Sequence, residues 1–379
     1  MKSLLSRLPR SPRLNNKIGG RLAPGATKLH HNEACSAFGA DQQPPTSNRD
    51  SPAAYYYEKP LNASQLREIR IGRFPANIHE DGIRFKSSLE VYFSLLPPFG
   101  KKSLLPELRI SYDAGFSTTS VDRAPTPLHE LCATHISHRI YQKIPLSLQR
   151  SLEFELNYRV PIRQEDKFSE RKPDIAITLK APDKRPSLVG VAEVGFSQPY
   201  ADLKRWCDVW FYGVPTVNMV ILINLSEKPR FPRKEALEYI RKQGQQNFPE
   251  VEAIKKDDFI LQDPTDKTSA WTAFRFTWCG PVQGTLEIWT RCPKTGRPLL
   301  SSKPICFYGP NADGAPIKIQ PRDLVPSSGK NETYEDMELD VILLQEAVEI
   351  GRLRTAKARF VELLKAARGI KDKQRRYSA

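Results

Sequence analysis

The chain has 379 residues, 39% of them hydrophobic and 9% aromatic, enough apolar material for two domains or for one large domain with extensions. Lysine and arginine number 58 against 43 aspartate and glutamate; the formal charge of +15 points to a polyanionic partner, nucleic acid or an acidic membrane surface, unless the excess sits in tails that serve targeting or solubility. The six cysteines include no CxxC pair, no apolar run is long enough to span a bilayer and no secretory h-region is present. Zinc-ribbon, transmembrane and secreted classes are thereby set aside, and a reducing intracellular compartment is expected.

Residues 1–60 read as a disordered basic segment that carries an address. Lys2, Arg7, Arg10, Arg13, Lys17, Arg21 and Lys28 all precede the first acid, Glu33, among leucines and serines. That is the composition of a mitochondrial presequence, although Pro9 and Pro12 break the helix such a segment needs; a nuclear or nucleic-acid-binding arm is the competing reading. Gly20 to Gly25 mimics a phosphate loop but lacks the Lys-Ser/Thr that would follow.

From Leu61 to Arg123 short apolar pieces alternate with proline and glycine breaks, a region expected to pack on the core with no legible topology. Thr126-Pro127 is a helix start, with threonine as cap and proline in the first turn. Leu128, Leu131, Cys132, His135, Ile136 and Ile140 then mark one apolar face. His129-Glu130 opens like a zinc-peptidase helix, but Ala133 stands where the second histidine would be required; His135 and His138, three apart, are read as core and surface histidines rather than metal ligands. Leu152 to Val160 alternates as one strand.

The next stretch, Lys172 to Leu225, is the centre of the chain. Pro173 to Leu179 alternates as a half-buried strand, Ala181 to Ser187 is rich in turn formers, and Leu188 to Phe196 is a buried strand interrupted by one carboxylate. A hairpin of the two strands brings Asp174 to within about one residue of Glu193 in register. An acid in an apolar strand is costly unless something pairs with it. A hard divalent cation is one such partner; a purely structural pair would instead meet arginine or lysine, such as Arg171 or Lys172. Leu203, Trp206, Cys207 and Trp210 form the apolar stripe of a helix begun by Pro199 and stopped by Gly213, and Asn218 to Leu225 reads as a fully buried strand.

Residues 255–325 are mostly β, with strands at 273–278 and 284–289 joined through Gly280-Pro281 and further turns at 294–296 and 311–314. Residues 326–329 read as a linker. A helix capped by Thr333-x-x-Asp336 should carry Met337, Val341, Leu344 and Val348, then Leu353, Phe360 and Leu364 beyond Gly351. It is acidic in its first half and basic in its second, a polarity that the helix dipole explains. The expected organisation is thus a basic segment at 1–60, a domain at 61–330, and an amphipathic helix with a basic tail at 331–379.

The helix with Glu130, the strand with Glu153 and Glu155, Pro173-Asp174, Glu193-Val194-Gly195-Phe196-Ser197-Gln198, Gly284 to Arg291, and Asp323-Leu324-Val325-Pro326 together resemble the PD-(D/E)XK nuclease superfamily, and within it a mostly fungal branch. The resemblance covers roughly residues 128–326. It implies an α/β fold, a restriction-endonuclease-like mixed-sheet core of order αβββαβ, here with a β-rich C-terminal extension and a C-terminal helix. It further implies that Asp174, Glu193 and Glu130 hold Mg²⁺ (or Mn²⁺), which activates water against a phosphodiester of DNA or RNA. A lysine two residues after the glutamate ordinarily orients that water. Here that position is Gly195, so Lys204, Lys180 or Gln198 is the candidate substitute. Lys172, Lys180, Lys184, Arg185 and Arg205 are the expected contacts to nucleic acid. Two function classes stand: a Mg²⁺-dependent nuclease, and a noncatalytic nucleic-acid- or protein-binding module on the same fold.

Overall fold

The computed structural model describes residues 56–75, 77–96, 108–156, 158–164, 167–181, 184–325 and 334–369. The expected targeting segment up to residue 55, the linker at 326–329, the Thr333 cap and the basic tail beyond residue 369 lie outside them. In chain order the elements begin with β1 (Tyr56–Tyr57), α1 (Ala63–Arg70), β2 (Gly82–Lys86), α2 (Leu89–Leu95), β3 (Leu108–Asp113) and β4 (Thr118–Arg123). Next come α3 (Pro127–Lys143), α4 (Leu146–Gln149), β5 (Leu152–Glu155), β6 (Val160–Gln164), β7 (Lys167–Arg171), β8 (Ile175–Ala181), β9 (Lys184–Phe196), α5 (Tyr200–Gly213) and β10 (Met219–Glu227). The last part holds α6 (Arg233–Gln243), β11 (Ile260–Leu261), β12 (Trp271–Ala273), β13 (Phe276–Cys279), β14 (Val282–Arg291), β15 (Pro298–Leu300), β16 (Ile305–Tyr308), β17 (Ile317–Ile319), α7 (Pro321–Leu324), β18 (Met337–Leu339) and α8 (Val341–Ala367).

These make a mixed α/β fold with several sheets and a long C-terminal helix. The central sheet runs β15-β14-β10-β9-β8-β5, with β16 also on β14. Strands β5, β8 and β9 form an antiparallel meander; α5 then carries the chain over so that β10 lies parallel to β9, and β14 pairs antiparallel on the far side of β10. A second sheet, β1-β2-β4-β3-β7-β6, joins the N-terminal strands to a hairpin, β6–β7, inserted between β5 and β8. Period-two alternation sorts the central strands onto two cores. Met219, Ile221, Ile223 and Leu225 of β10 join Leu128, Cys132, Ile136 and Ile140 of α3 and Leu344, Val348 and Phe360 of α8, whereas Val220 and Leu222 join Leu203, Cys207, Trp210 and Phe211 of α5. Each fully buried side chain of this size stabilises by about 1.5–3 kcal/mol, so both faces hold the sheet firmly in place.

Sequence and structure agree on α3, whose Thr126 cap accepts from the His129 N–H at 3.3 Å, and on α5 and β10. They part in four places. The expected strand from 152 to 160 is two strands, β5 in the central sheet and β6 in the second, because the chain changes sheets between them. Strand β8 is buried on both faces from Asp174 to Thr178, not half-buried. The expected strand 273–278 is folded in two by a turn at Phe274 and Arg275, both with positive φ (50° and 62°), and β14 pairs with β10 rather than with β13; neither turn residue is the glycine or asparagine that would announce such a turn. Finally, Met337 lies in β18 on β17, and the last helix begins later, its cap being Asp340, which accepts from Ile342 N–H at 2.8 Å. That helix runs through Gly351, where a Cβ would stand 2.8 Å from Leu128 Cα; the glycine lets α8 press against α3. Among the described residues no helix is long and apolar enough to cross a membrane.

Candidate functional site

Ile175 pairs with Ala192, so Asp174, one residue before that ladder begins, stands beside Glu193 as the hairpin reading expects. Both carboxylates are buried, 3% and 2% exposed, and both are engaged. Asp174 Oδ1 accepts from the Arg109 guanidinium; its Oδ2 accepts from Val194 N–H at 2.6 Å and lies 3.1 Å from His129 Nε2. Glu193 Oε1 accepts from Arg171 Nε at 3.0 Å and from Trp210 Nε1 at 2.8 Å. Arg171 also lies 3.3 Å over the Trp206 ring. The two guanidiniums come from the second sheet: Arg109 from β3 and Arg171 from the end of β7. The inserted hairpin and the N-terminal strands together deliver a cation to each acid.

The two acids respond oppositely. Burial opposes the ionisation of Asp174, but Arg109, then His129 and the Val194 N–H, more than offset it and hold the carboxyl well below the usual range. Burial, with the neighbouring Asp174 charge, pushes Glu193 above the usual range in spite of Arg171 and Trp210. A third acid, Asp122 on β4, faces the same cavity. Burial raises it to about 6, with Arg171 and Arg109 pulling the other way, and its Oδ1 finds no hydrogen-bond partner among the described residues.

The cavity has a volume of about 450 Å³. Asp174, Glu193 and Asp122 line it with Arg109, Arg171, Lys172, His129, Ser197 and Gln198, and Arg123, Arg233 and Arg359 complete its basic wall. Of the residues singled out from the sequence, Asp174, Glu193, Lys172 and Gln198 therefore share one space. Gln198 folds its amide over Gly195, where a Cβ would meet its Nε2 at 2.8 Å, so it covers the position at which a lysine would start.

The others are elsewhere. Glu130 is exposed and does not line the cavity; His129, one residue earlier, is the α3 side chain that reaches Asp174. Lys204 lies 3.5 Å over the Trp289 ring and 3.4 Å from Asp208, also off the cavity wall. Lys180 pairs with Glu153 at 3.0 Å, six residues along β8 from Asp174 and so roughly 20 Å away. Arg205 pairs with Asp113 and sits over Phe116; Arg185 is exposed at the start of β9, and the Lys184 side chain lies outside the description.

As arranged, each of the two acids is paired with an arginine. The Asp174 oxygens already accept from the Arg109 guanidinium and the Val194 N–H, with His129 Nε2 3.1 Å away. No group of three His, Cys, Asp or Glu side chains among the described residues is placed to hold a metal ion. Arg109 and Asp122 carry no mark in the sequence, while His129 reads there only as the start of an incomplete zinc-peptidase pattern and Trp210 only as part of an apolar stripe: Arg109 is simply the polar phase between Leu108 and Ile110, and nothing local says that it meets an acid 65 positions on. No protein-family model matches the chain, and no curated protein sequence matches it.

Proposed function

We propose that this chain is a noncatalytic nucleic-acid-binding module built on a restriction-endonuclease-like core, with arginines taking the place of the divalent cation. The order α3, β5, β8, β9, α5, β10, with the meander and the parallel fourth strand, supports the core. The observation that carries the functional reading is that Asp174 and Glu193 are each neutralised from within the chain, by Arg109 and Arg171. A carboxylate so engaged is a poor ligand for Mg²⁺, because binding the ion would first require breaking a buried ion pair. With the pair neutralised, the chain's formal charge of +15 is left for a polyanion.

The test is to titrate single- and double-stranded DNA and RNA against the full-length protein across a salt series, with and without Mg²⁺ or Mn²⁺. Binding that weakens steeply with salt, with a log–log slope of about −0.7 to −0.9 per neutralised phosphate, and no cleavage under any condition, is the expected result. Metal-dependent cleavage that vanishes in Asp174→Ala and in Glu193→Ala returns the chain to the nuclease class. Absence of any nucleic-acid binding at low salt leaves a protein partner.

A further inference from the structure

Charge is not balanced around the cavity. Arg109 and Arg171 answer Asp174 and Glu193; Arg359 makes a bidentate pair with Glu227 at 2.7 and 2.8 Å, and Arg230 meets Asp81 at 2.7 Å. Two places remain. Arg123 and Arg233 share one carboxylate, the half-exposed Glu362, with Arg123 at 3.8 Å; Arg123 also donates its Nε to the Glu80 carbonyl at 3.1 Å and its Nη2 to the Ile78 carbonyl at 2.6 Å, so its position is fixed while its charge is only partly answered. Burial, and then the repulsion of Arg233, push Arg123 down to about 10. Lys172 makes no ion pair or hydrogen bond among the described residues. Burial, then Arg159 and Arg109, hold its ammonium below the usual range. A cation depressed by burial and by like charges is one that gains from an arriving anion.

Other features of the wall agree. The first residues of α3, Thr126, Pro127 and His129, line the cavity, as does Arg233 at the start of the eleven-residue α6, which has no side-chain cap. Seven buried side-chain polar atoms find no partner among the described residues, and four of them belong to this wall: Arg109 Nε, His129 Nδ1, Ser197 Oγ and Asp122 Oδ1. His129 is 8% exposed, and a group so buried is ordinarily satisfied. Two of the four, Arg109 Nε and Ser197 Oγ, can donate; His129 Nδ1 accepts when Nε2 gives its proton to Asp174. The opposite character is supplied by Phe196, Trp206, Phe231 and Ile110, which give the same cavity an apolar side. Its volume lies at the small-ligand end of the usual range of roughly 300–1,000 Å³, which suits one nucleotide and excludes a duplex.

We infer that the cavity takes a phosphate monoester of nucleotide size, its phosphate on the basic wall to which Lys172, Arg123 and Arg233 contribute and its remaining bulk on the aromatic wall. This deepens the nucleic-acid reading above and rests on it for one of two sources: the phosphorylated end of a single strand. A free nucleoside monophosphate is the other source of the same chemistry.

Calorimetry on the full-length protein separates them. The probes are one single-stranded decamer in 5′-phosphorylated, 3′-phosphorylated and unphosphorylated forms, a nucleoside 5′-monophosphate, and inorganic phosphate. At least one phosphorylated strand should bind about tenfold or more tightly than its unphosphorylated twin, the scale of one added charge-assisted hydrogen bond or two. Lys172→Gln and Arg233→Gln should each bring that ratio toward one with the melting temperature unchanged, while Lys172→Arg keeps it. Nucleotide binding without binding of any strand would support the cavity and overturn the nucleic-acid reading. Strand binding with a ratio of one, and no nucleotide binding, would overturn the cavity and leave that reading standing. A preference that survives both glutamine variants would overturn the assignment to these residues.

Discussion

Asp174→Ala distinguishes a structural acid from a metal ligand more sharply than any other single substitution. The change takes an acceptor from the Arg109 guanidinium, from the Val194 N–H and from His129 at once. Breaking a buried pair from one side costs about 3–5 kcal/mol. Part is returned, because Asp174 is also a charge that raises Glu193 and its removal relieves that repulsion, so a loss of about 3 kcal/mol is expected. The assay is urea unfolding at pH 7 in the presence of a chelator. Asp174 is held low in the folded protein, so its contribution is complete above the ordinary carboxylate range and is lost only as pH falls through its lower folded value. The gap between wild type and variant should therefore not narrow from pH 7 to pH 5, where protonation of the raised Glu193 relieves its repulsion with Asp174 in wild type alone, and should close in stronger acid. Adding Arg109→Ala to Asp174→Ala should recover about 1 kcal/mol or more, since the double variant no longer buries an unpaired guanidinium. A variant as stable as wild type, or more stable, would refute the reasoning, because that is how a metal ligand freed from a repelling neighbour behaves.

Asp122→Asn should act in the opposite direction. The carboxyl is raised to about 6 from 3.8, so it stabilises when protonated and that stability is lost as pH rises toward 6; the variant should be about 1–3 kcal/mol more stable at pH 8 and no more stable at pH 4, read from unfolding curves at both values. Gly351→Ala should cost about 1–3 kcal/mol, because the new methyl stands 2.8 Å from Leu128 Cα and α8 must back away from α3; a variant within 0.5 kcal/mol of wild type, by the order-of-magnitude scale of surface substitutions, would show that the helices have room. Arg352→Met should destabilise more than a surface arginine would. Its guanidinium is fully buried and donates to the Lys267, Thr268, Ser269 and Gly280 carbonyls; the change takes the partner from Thr268 and Ser269, while Lys267 keeps the Tyr308 hydroxyl and Gly280 the weak Cys279 thiol.

What the sequence made legible was local. The Thr126-Pro127 start, the stripe from Leu203 to Trp210 and the apolar run of β10 each depend on neighbours within a few residues, and each formed as expected. The pairing of Asp174 with Glu193 was legible for the same reason, two strands that follow one another in the sequence and pair antiparallel. What settles the character of that pair was not. Arg109 reaches it from 65 residues away through a sheet assembled from two distant parts of the chain, and periodicity carries no information about such a meeting. Arg171, close in sequence, is a partner expected of a structural pair, and Glu193 accepts from it. The basic half of α8 looked like a dipole-matched surface. Arg352 and Arg359 instead turn inward, onto backbone carbonyls and onto Glu227, which sits at the end of an apolar strand with no sign of the arginine that pairs with it. The division at 273–278 failed because Phe274 and Arg275 occupy a positive-φ turn that residues of their kind seldom make.

The central claim is that the acid pair is closed by arginine, and calorimetric titration of Mg²⁺ and then Mn²⁺ into the full-length protein at pH 7 tests it most directly. The account predicts no binding that depends on Asp174 or Glu193, so wild type, Asp174→Asn and Glu193→Gln should give the same heats. Binding of one ion per chain that both substitutions abolish would contradict it.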